Sequence, residues 1–139
     1  MKVCFVGLGS IGKRHLKNLF DICKERTIDL TIHAYRTSKI NLEENISKLI
    51  DKEIFDINDV HNDYDIVFIT NPTYKHFESV SFFCSKTKHM FIEKPIFNNS
   101  VNEELLKDFN INDGIYYVAG PLRFKKVYKK LKEVISNEI

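Results

Sequence analysis

The chain has 139 residues, of which 43% are hydrophobic, 12% aromatic and 29% charged, and these proportions exclude a disordered or fibrous segment. Twenty-one basic residues against 19 acidic ones leave a net charge of +2, which excludes bulk electrostatic attraction to nucleic acid or acidic membranes. Three widely separated cysteines form no CxxC pair, so neither a disulfide framework nor a metal site is expected. We therefore predict a cytoplasmic protein with no membrane span and no secretion signal.

The predicted strands are short runs rich in β-branched and aromatic residues. Several are apolar at successive positions, which is typical of a parallel sheet covered on both faces. The strands are expected at residues 2–6, 30–35, 65–70, 89–93 and 115–119, with a weaker one at 53–57.

Segments with apolar residues at helical spacing lie between these strands. The first contains Leu16, Leu19, Phe20 and Cys23. Others are predicted at 42–50, from Thr73 onward, at 101–109 and at 124–135, with capping pairs at Asn41/Glu44 and Ser100/Glu103. Strands alternating with helices predict an α/β fold, a doubly wound parallel sheet in a single domain.

A glycine-rich turn follows the first strand and opens the first helix. Gly7 permits a tight turn, Gly9 lets the backbone approach a pyrophosphate, and Gly12 lets the helix pack closely on the strand. With Ser10 and Ile11 between them, these residues predict a dinucleotide site at a helix N-terminus. A P-loop would need a Ser or Thr hydroxyl at position 14, where Arg14 stands, so nucleotide hydrolysis is not expected.

The end of the second strand bears on which dinucleotide is bound. No acidic residue occurs between positions 30 and 42 to hold a ribose 2′-hydroxyl. Arg36, Thr37 and Ser38 stand there instead, and a guanidinium with two hydroxyls suits a 2′-phosphate. We predict NADP(H) as the preferred cofactor, with NAD(H) as the alternative. The structural alternative is that these three residues form a solvated turn and bind no cofactor.

These features resemble the N-terminal part of the Gfo/Idh/MocA oxidoreductases, the glucose-fructose oxidoreductase and inositol dehydrogenase family. The glycine turn is common to many folds, whereas a Glu-Lys-Pro sequence ending the fifth strand is far more specific. The resemblance rests on residues 6–12 with 14–16, then 70–73 with His76, then 91–95, then Gly120 with Arg123 and Phe124.

The resemblance implies hydride transfer on a carbinol or ketone of a sugar, cyclitol or sugar nucleotide, with Lys94 as the catalytic residue. An ammonium at a strand's carboxyl end can stabilise charge that develops on the reacting oxygen. It also places cofactor contacts at Thr70, Asn71, Pro72, Thr73, His76 and Glu93. For His76, a position in the first turn of a helix favours a structural role over a role in the site.

The family pattern continues into a second α/β domain, which these 139 residues do not contain. We predict a dinucleotide-binding domain at residues 1–122 and an amphipathic helix at 123–139 that leads to that domain. Val127, Tyr128 and Leu131 would then be exposed, so a homo-oligomer or a partner chain is expected on that face. The alternatives to an oxidoreductase are a non-catalytic dinucleotide-binding module and a structural domain with an empty turn.

Overall fold

A computed structural model describes residues 1–97 and 113–137 of the chain. Six strands form one sheet in the order β3-β2-β1-β4-β5-β6, and every neighbouring pair is parallel. Their bounds are β1 Lys2–Val6, β2 Thr31–Tyr35, β3 Lys52–Ile54, β4 Tyr64–Ile69, β5 Thr87–Ile92 and β6 Tyr116–Val118. The order reverses between β1 and β4, and ligands of doubly wound sheets bind outside the strands' carboxyl ends at such a point.

The core has two halves because side chains of a strand alternate between the faces of the sheet. In β1, Cys4 and Val6 belong to one buried cluster, and Val3 and Phe5 belong to the other. All four side chains are almost fully buried. This two-sided burial explains why the strand is apolar at successive positions.

Four α-helices are described: α1 Ser10–Glu25, α2 Glu44–Ser47, α3 His76–Phe83 and α4 Lys126–Asn137. Leu16 of α1 is buried in one half of the core, and Val80 and Phe83 of α3 are buried in the other. Short 3-10 turns precede α3 and α4, at Thr73–Lys75 and Pro121–Phe124. Within the described ranges, no helix is long and apolar enough to span a membrane.

The predicted strands and the first helix are confirmed, but the region after β2 differs from expectation. The weak strand expected at 53–57 is the three-residue β3, and α2 has only four residues. Glu43 rather than Asn41 is the residue preceding α2, and the amides of Leu49 and Ile50 bond three residues back instead of four, which ends the helix. The helix and capping pair predicted between 100 and 109 lie outside the described residues.

An aromatic row crosses four strands on the face that α1 covers in part. Phe5 of β1 stacks on Phe68 of β4 with ring centroids 4.6 Å apart. Phe68 is 5.2 Å from Phe91 of β5, which is 5.7 Å from Tyr117 of β6. Each ring pair is also a register pair of the sheet. Cross-strand aromatic pairs of this kind stabilise neighbouring strands.

A buried imidazole lies near the amino ends of the strands. His33 of β2 is 6% exposed, and its Nδ1 lies 3.0 Å from the Tyr64 hydroxyl. Burial is the main cause that lowers the pKa of His33 from 6.5, and neighbouring positive charges lower it further. The charged groups that act on it are His61, Lys2 and Lys52, which lower the pKa, and Asp51, which raises it.

We predict that His33 makes the free energy of unfolding depend on pH. The folded chain favours the neutral imidazole, so below a pH of about 6.5 the unfolded chain binds more protons. The free energy of unfolding should therefore decrease as the pH falls from about 6.5 towards the folded-state pKa. Urea unfolding across this range should show a shallower decrease for His33→Gln, and an unchanged slope in that variant would contradict the assignment.

Candidate functional site

A cleft of about 760 Å³ lies at the carboxyl ends of β1, β2 and β4. Its walls come from the glycine turn, from residues that follow β2 and β4, and from α3 with the 3-10 turn that precedes it. The cleft therefore occupies the reversal point of the sheet, the position where this class of fold binds its ligands.

The glycine turn brings backbone to the bottom of the cleft. Gly7 has a φ of +86°, and a Cβ on it would lie 2.8 Å from the Asn71 Cα. A Cβ on Gly12 would lie 2.6 Å from the Gly7 carbonyl oxygen and 2.8 Å from the Thr70 hydroxyl oxygen. A Cβ on Gly9 would have nothing within 4 Å. Gly7 and Gly12 are thus required by packing, whereas Gly9 leaves open space at the cleft.

The N-terminus of α1 faces this space with no side-chain cap. Gly9 precedes the helix, and the first turn contains no acidic residue. Backbone N–H groups at a helix start carry a partial positive charge, which favours anions such as phosphates. The Lys13 ammonium also lines the cleft, and it donates to the Glu43 carboxylate at 2.6 Å. This ion pair lowers the pKa of the exposed Glu43 carboxyl.

The segment after β4 supports the turn and adds polar groups to the cleft. The Thr70 hydroxyl lies 2.6 Å from the Gly7 carbonyl oxygen, to which it donates. The Asn71 side-chain amide donates to the Ser79 hydroxyl at 2.7 Å. Its carbonyl oxygen Oδ1 is buried and accepts from no group among the described residues. A buried acceptor without a partner costs free energy, so this oxygen is suited to accept from a ligand hydroxyl.

The residues after β2 form the opposite wall. Thr37 and Ser38 are exposed and line the cleft. Arg36 also lines it but is only 8% exposed. Its guanidinium donates to the Glu53 carboxylate of β3 and, at 2.5 Å, to the Ile40 carbonyl oxygen. Arg36 therefore already has protein partners at both terminal nitrogens.

The segment after β5 lies beside the cleft rather than in its walls. Glu93 accepts from His15 Nε2 of α1 at 2.6 Å and from the Lys94 backbone N–H at 3.2 Å. The His15 ring also packs against Phe91, with centroids 4.9 Å apart. The Lys94 side chain is exposed, and the peptide bond to Pro95 is cis.

His76 connects the segments that follow β4 and β5. It is 1% exposed, with Nε2 2.9 Å from the Asn71 carbonyl oxygen. Its Nδ1 lies 3.0 Å from the Pro95 carbonyl oxygen and 3.1 Å from that of Ile96. These contacts support the structural interpretation, in which the imidazole fixes the two loops relative to each other.

The structure thus separates the predicted site residues into two groups. The cleft is lined by Gly7, Gly9, Ser10, Ile11, Arg36, Thr37, Ser38, Thr70, Asn71 and Pro72. Outside its lining lie Gly12, Thr73, His76, Glu93 and Lys94.

Sequence reasoning missed three partners of these residues. Glu53 stands 17 positions from the arginine it pairs with, and Ser79 stands eight positions from Asn71. His15 is separated from Glu93 by 78 positions. The order of the strands brings Glu53 to Arg36 and Glu93 to His15, whereas Ser79 meets Asn71 because α3 follows β4 in the chain. Of these three partners, only His15 had a signal in the sequence, because it follows the glycine turn within the predicted first helix.

The donor set of the cleft fits a dinucleotide. Backbone N–H groups at a helix start suit a diphosphate, the open space at Gly9 admits it, and Asn71 Oδ1 offers an acceptor for a hydroxyl. Within residues 1–97 and 113–137, no group of three His, Cys, Asp or Glu side chains could hold a metal ion.

Sequence comparison with known proteins finds similarity to oxidoreductases. The chain is 31% identical to myo-inositol 2-dehydrogenase of Thermotoga maritima over 144 aligned residues, which are 99% of this chain and 41% of that protein. It is 29% identical to an uncharacterised oxidoreductase of Bacillus subtilis, covering 95% of this chain and 39% of that protein. The chain thus spans about two fifths of the length of the relatives it matches.

Solved structures show the same fold. A probable dehydrogenase from Thermotoga maritima superposes with a TM-score of 0.73 at 28% identity, over 99% of this chain and 41% of that one. Scyllo-inositol dehydrogenase from Lactobacillus casei, with bound NAD(H) and scyllo-inositol, gives 0.75 at 24% identity over the same shares.

A family model described as the oxidoreductase family with an NAD-binding Rossmann fold matches residues 1–118. This range contains the whole glycine turn, the cleft and all six strands. Together with the similarity to the inositol dehydrogenase, the match shows that the chain belongs to the Gfo/Idh/MocA family of oxidoreductases.

Proposed function

We propose that this chain is the coenzyme-binding part of an NAD(P)-dependent oxidoreductase acting on a CH–OH group of a sugar, cyclitol or sugar nucleotide. The observation that carries the proposal is the open space at Gly9 in front of an uncapped helix N-terminus. The surrounding glycines are packed against backbone and Thr70, so this space is built by the fold. We assign residues 1–122 to the binding domain. The helix expected at 123–139 is described as α4 at Lys126–Asn137, because a 3-10 turn occupies Pro121–Phe124.

The coenzyme's parts correspond to different walls of the cleft. The N–H groups at the start of α1, around Ser10 and Ile11, would bind the diphosphate. Thr37 and Ser38 lie at the end of β2, where this fold class binds the adenosine ribose. Asn71 and Pro72 follow β4 and would contact the nicotinamide side, with the Asn71 Oδ1 available as acceptor.

Lys94 is the residue that we assign to the reaction itself. When bound, NAD(P) supplies the carbon that accepts or releases hydride. The Lys94 ammonium would donate to the substrate oxygen and stabilise the charge that develops on it. Glu93 holds the start of this segment through the Lys94 backbone N–H, while its other oxygen is fixed by His15. The exposure of Lys94 leaves the ammonium free to meet a substrate.

The proposed substrate class follows from the relatives. The Thermotoga maritima protein is a myo-inositol 2-dehydrogenase, and the Lactobacillus casei structure holds scyllo-inositol. A third structure, from Chromobacterium violaceum, holds NADH with a UDP-sugar derivative. Cyclitols and sugars are therefore the first substrates to test.

For the cofactor, we propose NADP(H) as the preferred form, with NAD(H) also bound. The support is the content of the cleft wall after β2, where Arg36 provides a positive charge and Thr37 and Ser38 provide hydroxyls. No acidic residue occurs between positions 30 and 42 to repel a 2′-phosphate. Comparable dissociation constants for NADPH and NADH would contradict this preference.

A partner surface is proposed on α4. Val127, Tyr128 and Leu131 on this helix are 76%, 45% and 52% exposed. Contiguous exposed apolar side chains of this size are typical of interaction surfaces. We assign this face to a second copy of the chain or to a partner chain that completes the site.

The three buried, free cysteines support a cytoplasmic location, where thiols stay reduced. Recovery of the protein outside the cytoplasm in cell fractionation would contradict this location.

A non-catalytic dinucleotide-binding module is the second candidate function. One observation favours it: Lys94 lies outside the lining of the cleft. Such a module would bind the dinucleotide through the same turn without oxidising any polyol.

The first prediction concerns coenzyme binding. Titration with NADH and NADPH should give saturable binding to the wild-type chain, tighter for NADPH. Gly9→Ala should weaken both by about 10- to 100-fold, because the methyl group enters the space for the diphosphate. The φ of −69° and the empty surroundings at Gly9 allow alanine, so the unfolding midpoint should not change. Absence of binding by the wild-type chain would overturn the proposal.

The second prediction concerns Lys94. Lys94→Met should leave NADPH binding unchanged but reduce oxidation of myo-inositol or another polyol by about 10²- to 10³-fold, since a donor to the developing charge is lost. Lys88→Met, on the β5 strand that precedes Lys94, is the matched control and should keep the wild-type rate. A wild-type chain that binds the coenzyme but oxidises no polyol, even with a candidate partner chain supplied, would support the non-catalytic module.

The third prediction concerns the α4 face. Sedimentation should show an average mass that increases with protein concentration. Leu131→Lys should shift the chain towards the monomer, whereas Lys129→Gln on the same helix should not. A wild-type monomer at every concentration would contradict self-association.

A further inference from the structure

The Arg36 guanidinium lies between two clefts. Arg36 lines the main cleft together with Thr37 and Ser38, and it also lines a smaller cleft of about 370 Å³. Glu53 and Phe55 of the segment around β3 line the smaller cleft and not the main one. The arginine is therefore held from the side that faces away from the proposed adenosine position.

Three contacts hold the guanidinium in this place. Nη1 donates to the Glu53 carboxylate, and Nη2 donates to the Ile40 carbonyl oxygen. The guanidinium carbon lies 5.8 Å from the centre of the Phe55 ring. The Arg36 side chain is 9% exposed, whereas that of Glu53 is 32% exposed. Because this ion pair has little access to water, solvent and salt screen it weakly. The Glu53 carboxylate therefore competes effectively with other anions for the arginine.

We propose that Glu53 is a specificity-determining residue for the 2′ substituent of the coenzyme, and this rests on the proposed coenzyme site. A 2′-phosphate has to share the Arg36 guanidinium with the Glu53 carboxylate, which already pairs with it. A 2′-hydroxyl is uncharged and does not compete with Glu53 for the arginine. Arg36, Thr37 and Ser38 favour NADPH over NADH, and Glu53 reduces this difference in affinity.

The pairing also explains why the sequence signal at this position is incomplete. NAD-selective sites have an acidic residue at the end of the second strand, and none occurs there in this chain, yet the fold brings a carboxylate from β3 to the Arg36 guanidinium. His33 pairs with Lys52 and Ala34 with Glu53 in the β2/β3 register, so Glu53 lies two positions from Arg36 across the strands. Selectivity is set by this cross-strand pair rather than by one residue.

The test is a comparison of NADPH and NADH dissociation constants in the wild-type chain and Glu53→Gln. The glutamine keeps an acceptor for the guanidinium but removes the negative charge. We expect NADPH to bind about tenfold more tightly to the variant, with NADH changed by less than about twofold. Glu44→Gln removes the same charge from an exposed carboxylate that also lines the smaller cleft, and it should leave both constants near the wild-type values.

The same substitution in an Arg36→Ala background separates release of the arginine from removal of direct repulsion between Glu53 and the 2′-phosphate. In Arg36→Ala, the Glu53→Gln substitution should leave NADPH binding unchanged within about twofold, because no guanidinium remains to be released. A similar gain in both backgrounds, or no gain in both Glu53→Gln and Glu53→Ala, would overturn the inference. Because the glutamine keeps an acceptor for the guanidinium, Glu53→Ala is the second variant to test. Its unfolding midpoint checks that the chain still folds. Failure of the wild-type chain to bind either coenzyme would instead contradict the proposed function.

Discussion

The architecture of the cleft depends on one close approach, in which β1 ends, α1 begins and β4 ends within hydrogen-bond distance of each other. The Thr70 hydroxyl donates to the Gly7 carbonyl oxygen, and Gly12 lies against both groups with no room for a Cβ. This contact brings the helix N-terminus to the carboxyl edge of the sheet. The proposed binding of a diphosphate in the cleft depends on this contact, since the partial charge of the helix acts only within its first turn.

The features predictable from sequence were those encoded by local pattern. Residues 3–6 and 66–69 are apolar at successive positions, and they lie in the central strands β1 and β4, which the core covers on both faces. The glycine turn is defined by three residues within six positions, and its geometry follows from where a Cβ can fit. In contrast, α2 ends after four residues because the amides of Leu49 and Ile50, which follow it, bond three residues back, a detail that apolar spacing does not encode.

The electrostatic organisation of the site could not be derived from the sequence. Around the cleft, charged side chains meet partners from other elements: Lys13 meets Glu43, Arg36 meets Glu53, and His15 meets Glu93. The sequence separations are 30, 17 and 78 positions, and only the strand order makes them neighbours. A residue such as Arg36, read alone, indicates an available positive charge, but its partner on β3 changes what that charge can do.

The row of rings formed by Phe5, Phe68, Phe91 and Tyr117 has a consequence for how the strands align during folding. Each ring comes from a different strand, and neighbouring rings are exact register partners. If one strand slid by a single position, its ring would point to the opposite side of the sheet and the stack would be interrupted. The four stacked rings therefore favour the native strand register over registers shifted by one residue.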